Sequence, residues 1–298
     1  MRHLLGIREL SSDDIHQIYD LTDRFYEVLQ QPTRKAPALA GTTVALLFFE
    51  SSTRTRLSFE LAAKRLGADV LNFSAAGSSL AKGETLLDTA LNILAMGVDA
   101  LVIRHQSVGT AHYLASRLPV PVINAGDGTH EHPTQALLDT YTLRRHFGRL
   151  EGIKLAIIGD IFHSRVALSH LYLAPKVGLK LRLCAPPTLV PPLWYNLGFP
   201  VYHCIEKAIR DADALLVLRM QKERQKQAPI ASWEEYARFY QVRLEQLSPG
   251  QVILHPGPVN WGVELHPAFL EASVSRILDQ VTYGVAVRMA VLYALLRG

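Results

Sequence analysis

Cysteine is almost missing from this chain. Cys184 and Cys204 are the only two in 298 residues, and they stand in no CxxC or zinc-type spacing. Neither a disulfide framework nor a thiolate metal site is indicated. Long apolar runs are missing too: no stretch approaches the ~18 uncharged residues that a membrane span requires. The opening MRHLLGIRELSSDD has too short an apolar run for a secretory leader. A cytoplasmic protein with no membrane partner is therefore expected. There is no block of one charge sign. The net charge is +4 and the pI about 9.0. That balance can suit nucleic acid, but the lysines and arginines are scattered and no aromatic pattern suits base stacking. No nucleic-acid partner is expected, and small anionic substrates fit the charge equally well. Finally, no GxxxxGK[ST] occurs and no GxGxxG follows a strand-like run. Nucleoside triphosphates and dinucleotides lose ground, and no cofactor is expected.

What is present suffices for about two domains of ~150 residues, with 49% hydrophobic residues to fill their cores. Ser11 with Asp14 marks a helix start, and 13–30 reads as a helix. TTVALLFF (42–49) reads as a buried strand and 53–66 as a helix ending at Gly67. The alternation continues through ADVLNF, the helix GETLLDTALNILAMG, VDALVIR, a helix over 109–117, VPVINA and PTQALLDTYTLRRHFG. A second series runs KLAIIGD, a helix from 163, LKLRLCAP, a short helix and strand, a helix over 204–211, and ADALLVLR. Continuous apolar strands separated by helices imply parallel sheets covered on both faces. The expected fold is α/β, with two domains, each a mainly parallel sheet flanked by helices. These are 1–147 and 148–283. A last helix, 282–296 by its apolar face of Val285, Met289, Leu292 and Leu296, would make 284–298 pack back on the first domain.

Ligands of open parallel sheets bind beyond the carboxyl ends of the strands. The loops there carry SSTRTR, SSLAKGE, RHQS and GDGTHEHPTQ in the first series, and GDIFHSR, LRMQKER and HPGPVNWG in the second. Any one of these could be a solvated turn; seven cationic or hydroxylic loops at one edge argue for a site. SSTRTR is the sharpest. A helix start leaves backbone N–H groups unpaired and carries partial positive charge, so an anion fits there. Ser52, Thr53 and Thr55 add hydroxyls, and Arg54 adds a fork suited to phosphate.

FFESSTRTRLSFE followed by HPTQALLD resembles the aspartate/ornithine carbamoyltransferase family, whose S-T-R-T-R grips the phosphate of carbamoyl phosphate. HPTQ, GDIFHSR, LRMQKER and HPGPVNWGVE are similar to its aspartate branch; the HPCQ and HCLP segments of the ornithine branch are missing. The resemblance spans nearly the whole chain. It implies transfer of a carbamoyl group to L-aspartate, an early step of pyrimidine synthesis, with a carbamoyl phosphate-binding first domain and an aspartate-binding second domain. By the same resemblance, Ser52, Thr53, Arg54 and Thr55 hold the phosphate. Thr55, Arg104 and His132 hold the carbamoyl oxygen. Gln135 and the carbonyls of Pro256 and Gly257 hold its amide. Arg165, Arg219 and Gln221 take the aspartate carboxylates. Ser79 and Lys82 are implied to reach a neighbouring subunit's site in a homotrimer, with Lys82 also facing aspartate, although Ser79 stands one residue nearer Lys82 than in some relatives. Glu50 is implied to bridge to Arg165 and Arg224, favouring a closed state. Regulatory chains or a dihydroorotase are possible further partners. Trp261, Leu168 and Tyr283 depart from the pattern, at positions that touch no substrate in this mapping.

The chemistry agrees with the residues. Amine attack on a carbonyl places charge on its oxygen, and donors aimed there supply the largest usual catalytic contribution. No covalent nucleophile or metal is needed. His130 and His132 form an HxH pair, but no third ligand lies nearby in sequence, so no metal is expected. A carbamoyltransferase for a cationic acceptor such as ornithine is the competing reading, but it would want carboxylates where Arg165, Arg219 and Gln221 stand. A catalytically silent assembly subunit would show an altered phosphate loop, and this loop is intact.

Overall fold

The computed structural model describes residues 1–74, 83–221 and 230–297. Two compact units form, Met1–Leu138 with Thr282–Gly298, and Asp139–Val281.

In the first unit, α1 (Ser12–Gln30) opens where the sequence places it. The Ser11 side chain accepts from the Asp14 backbone N–H while the Asp14 carboxylate accepts from Ser11, a reciprocal capping box. Its apolar stripe buries Ile15, Ile18, Tyr19 and Phe25. Four strands follow: β1 (Thr43–Phe48), β2 (Asp69–Ser74), β3 (Ala100–His105) and β4 (Val122–Asp127). They pair in the order β2-β1-β3-β4, all parallel. Val44 to Phe48 are buried, as a central strand covered on both faces requires. Each such aliphatic side chain contributes about 1.5–3 kcal/mol on full burial. α2 (Thr53–Arg65), α3 (Leu86–Leu94) and α4 (Thr110–Ala115) lie between them, and α5 (Pro133–Phe147) follows β4, its residues from Asp139 on belonging to the second unit. Beneath one face, Ala45, Leu47, Leu101 and Ile103 pack with Ala111, Leu114 and Leu118.

The second unit is built alike. β5 (Lys154–Ile158), β6 (Lys180–Cys184), β7 (Val201–Tyr202), β8 (Ala214–Val217) and β9 (Val252–Leu254) form an all-parallel sheet in the order β7-β6-β5-β8-β9. Helices α6 (Arg165–Lys176), α7 (Ile205–Ile209) and α8 (Trp233–Tyr240) flank it, and α9 (Ile277–Arg297) ends the chain, its residues from Thr282 on belonging to the first unit. Ile158, Leu215, Val217 and Ile253 pack with Ile205, Ile209, Leu265 and Phe269.

In each sheet the chain reverses its direction of travel once, between β1 and β3 and between β5 and β8. A crevice opens at such a switch point, beyond the strand ends. SSTRTR and Arg104 leave the first pair; GDIFHSR and LRMQ leave the second.

Some boundaries differ from the sequence reading. α3 begins at Leu86 rather than 83, because Thr85 and Asp88 form a capping box. α6 begins at Arg165 rather than 163, since the Ser164 hydroxyl caps it through the Ala167 N–H at 3.2 Å. α9 begins at Ile277, five residues before 282. β9 and α8 fall where the sequence pattern assigned nothing. No helix among the described residues is long and apolar enough to cross a membrane.

Candidate active site

α2 follows two serines, Ser51 and Ser52, yet the N-cap Ser52 side chain makes no capping bond. By contrast α1, α3, α6 and α8 are each closed by Ser11, Thr85, Ser164 or Ser232. No Ser52 hydroxyl therefore competes with an external acceptor at the start of α2. Around them Thr53 and Arg54 are exposed, Ser52 is half-buried and Thr55 is buried. This is the layout of an anion seat, with backbone donors at the base and side-chain donors at the rim.

Arg104 lies where the β3–β4 register shifts, between Ile103 and His105. Such an irregularity re-aims a side chain. Its Nε pairs with the Glu50 carboxylate at 2.8 Å, and one terminal nitrogen donates to the Ala125 carbonyl at 3.2 Å and stands 3.5 Å from His132 Nε2. Glu50 thus holds the guanidinium within the first unit. This pair was not among those implied for Glu50; of the two that were, Arg165 and Arg224, the latter falls outside the described residues. Gln135 sits buried in the first turn of α5, its N–H on the His132 carbonyl at 3.0 Å.

The loop between β4 and α5 is shaped by residues that sequence reasoning missed. Buried Asp127 accepts from Asn124 Nδ2 at 2.8 Å, the Gly109 N–H at 2.8 Å, the Glu131 N–H at 3.1 Å and His130 Nδ1 at 3.1 Å. Burial alone would raise its carboxyl pKa; these donors overcome that and hold it below the ordinary value. The same contact, against burial, raises His130 above its ordinary range. Glu131, fully buried, accepts from the Ile7 N–H at 2.8 Å and ties the N-terminal segment to this loop. His130 therefore turns to Asp127 and His132 to Arg104. The HxH pair serves two different partners, and no metal-binding group of three occurs among the described residues.

In the second unit, Asp160 follows β5 and is fully buried. It accepts from His163 Nδ1 at 2.8 Å and from the Gln221 N–H at 3.3 Å. Gln221 Nε2 in turn donates to the His163 carbonyl at 3.0 Å. The exits of β5 and β8 are thereby laced together, with Arg165 buried at the start of α6 and Arg219 half-buried beside Gln221. Their close approach needs Gly159: a Cβ there would meet the Leu218 carbonyl oxygen at 2.8 Å. Pro256 and Gly257 follow β9, and the Gly257 N–H donates to His255 Nδ1 at 2.8 Å. Ser79 and Lys82 lie outside the described residues. Of the three departures, Tyr283 packs edge-on against Tyr26 with ring centroids 5.0 Å apart, and Trp261 bridges to Leu265. Nothing in the structure explains Leu168.

Residues 2–145 match the model of the aspartate/ornithine carbamoyltransferase carbamoyl-P binding domain, and residues 151–295 match that of the Asp/Orn binding domain. The chain belongs to the aspartate/ornithine carbamoyltransferase family. Among the relatives of this carbamoyltransferase is the aspartate carbamoyltransferase catalytic subunit of Cytophaga hutchinsonii, 51% identical over 99% of this chain and 97% of that protein. The catalytic subunit of M. jannaschii aspartate transcarbamoylase superposes with a TM-score of 0.88 at 34% identity, covering 99% of this chain and 98% of that one. The Trypanosoma cruzi aspartate transcarbamoylase, solved with carbamoyl phosphate and aspartate, gives a TM-score of 0.88 at 30% identity over 99% and 97% of the two chains.

Proposed function

We propose that this chain transfers the carbamoyl group of carbamoyl phosphate to the amine of L-aspartate, releasing N-carbamoyl-L-aspartate and phosphate. The observation that carries the reading is the division of donors. The first unit presents an uncapped, arginine-bearing helix start next to Arg104 and His132. The second presents Arg165 and Arg219 beside an anchored Gln221. The first set suits a phosphoryl group and a polarised carbonyl; the second suits a dicarboxylate. Relatives about half identical and named for this activity support the choice of acceptor.

The chemistry follows from these assignments. The α-amine of aspartate attacks the carbamoyl carbon; a C–N bond forms, the C–O bond to phosphate breaks, and the amine proton leaves with phosphate. Charge gathers on the carbamoyl oxygen, where Thr55, Arg104 and His132 donate, each worth roughly 2.7–4 kcal/mol if lost. Ser52, Thr53, Arg54 and Thr55 neutralise the departing phosphate. Gln135 and the Pro256 and Gly257 carbonyls fix the amide. Holding two anions in reacting geometry supplies much of the rest.

We further assign a cytoplasmic homotrimer, with Ser79 and Lys82 donated across its interface and Lys82 facing aspartate. Support comes from the first unit's surface. β2 is an edge strand, and its Leu71 is exposed, as are Leu57 and Leu61 on α2. Arg54→Ala and Lys82→Ala chains, each nearly inactive alone, should regain one native site per mixed trimer after subunit exchange. Exchange without regained activity contradicts the shared site.

The test of the reaction is a ureido-product assay with L-aspartate and L-ornithine as acceptors. Turnover with aspartate and negligible use of ornithine is expected. Equal or faster turnover with ornithine overturns the assignment.

A further inference from the structure

The proposed amide acceptors and the proposed aspartate donors of the second unit hang on one buried side chain. Glu264 is fully buried and follows the turn after β9. Its Oε1 accepts the Asn260 N–H at 2.6 Å and stands 3.3 Å from His255 Nε2, a side chain as buried as its own. His255 Nδ1 accepts the Gly257 N–H at 2.8 Å, so it carries no proton. The ring proton then sits on Nε2, facing Glu264. The His255 N–H donates to Gln280 Oε1 at 2.9 Å, and Asn260 Nδ2 donates to the Met220 carbonyl at 3.2 Å. Met220 lies between Arg219 and Gln221. Glu264 Oε2 has no hydrogen-bond partner among the described residues. A buried carboxylate without a cation is costly to fold around, and an apolar residue would fill the space more cheaply.

We propose that Glu264 is a positioning residue for carbamoyl transfer: it locks His255 in the Nε2–H tautomer that clamps the Pro256–Gly257 turn, and through Asn260 it tethers that turn to the Arg219–Gln221 strand exit. Carboxylate–histidine pairs that fix a ring's tautomer for a third group do this elsewhere in proteins, and their loss typically costs about 10–100-fold in affinity or activity. Here the third group is a backbone N–H, and what it orients is a pair of carbonyls. The inference rests on the assignment of those carbonyls to the carbamoyl amide.

Inorganic phosphate discriminates this role from a merely structural one, because it lacks the amide that the turn is assigned to hold. Binding of phosphate and of carbamoyl phosphate is measured calorimetrically on the full chain, together with steady-state kinetics. Glu264→Ala should weaken carbamoyl phosphate by about tenfold or more and lower kcat, while phosphate stays within about twofold. Glu264→Gln, which keeps an acceptor for His255, should recover most of the loss. Asn260→Ala cuts only the tether to Met220. It should raise the KM for aspartate several-fold and leave carbamoyl phosphate binding near normal. If Glu264→Ala does not fold, Glu264→Asp, which withdraws the carboxylate by one methylene, carries the same test with a smaller expected effect. Equal weakening of phosphate and carbamoyl phosphate, or no change in either, overturns the proposal. A wild-type protein that does not carbamoylate aspartate instead overturns the functional reading, so the two failures are told apart.

Discussion

Two corners of this molecule use the same five-residue device to different ends. GDGTH closes β4 in the first unit and GDIFH closes β5 in the second. In both, a buried aspartate takes the Nδ1 of the histidine three residues on, at 3.1 Å for Asp127 and 2.8 Å for Asp160. Their other donors differ. Asp127 gathers Asn124, Gly109 and Glu131, all of which shape the loops around it. Asp160 reaches sideways to the Gln221 N–H, on a neighbouring strand's exit and at a proposed aspartate ligand. One corner builds scaffold; the other holds a residue proposed to contact aspartate. The lesson is that a buried acid's role follows from where its donors come from, not from its own immediate sequence.

That contrast can be broken by mutation. Asp127→Ala strands several buried donors and should destabilise the fold by about 3–5 kcal/mol, as removal of one partner from a buried ionic cluster does. Thermal or denaturant unfolding measures it, and a loss under 1 kcal/mol contradicts the scaffold role. Asp160→Ala should instead reveal itself in kinetics. The KM for aspartate should rise about tenfold, while phosphate binding by the first unit holds. An unchanged aspartate KM would place Asp160 with Asp127 as scaffold only.

The smallest effect concerns pH. His130 is raised above its ordinary 6.5 by Asp127, so its contribution to stability is complete below pH 6.5 and is lost as pH climbs through the raised value. Asp127 is lowered beneath 3.8, so its contribution is present above that pH and is lost as pH falls through the lowered value. The pair should stabilise fully between those limits. His130→Gln should flatten the decline on the alkaline side and also weaken the acid-side contribution, because the His130 contact is the largest of those that lower Asp127. Unfolding curves from roughly pH 2 to 9 read out both limbs.

The first unit's proposed phosphate seat was legible in the sequence, because its code is local. SSTRTR is contiguous, and a helix start after a strand has one electrostatic meaning. Arg104 and His132 were reached through resemblance, although the apolar runs mark the strand and helix ends where they lie. The second unit was less legible. Arg165, Arg219 and Gln221 were reached through resemblance, while Glu264 and Gln280 hold the loops there as buried polar side chains that no apolar pattern announces. β9 is only three residues long and gives too short an apolar run to stand out. α9 extends five residues further toward the N-terminus than its apolar stripe suggests. Its first turns carry Asp279 and Gln280, and Gln280 is buried for hydrogen bonding to Asp139 at 2.6 Å rather than for packing. The HxH pair was set aside as a metal site in the sequence, and the two rings turn to different partners, Asp127 and Arg104.

The division of donors between the units is tested most directly by one paired measurement: phosphate affinity and steady-state kinetics for Arg54→Ala and Arg219→Ala side by side. Arg54→Ala should weaken phosphate binding and lower kcat at least about 10²-fold, the loss expected when a charge contact to the transition state is removed. Arg219→Ala should leave phosphate affinity within about twofold while raising the KM for aspartate by about tenfold or more. An Arg54→Ala protein with near-normal kcat and phosphate affinity, or an Arg219→Ala protein that loses phosphate as Arg54→Ala does, would contradict the account.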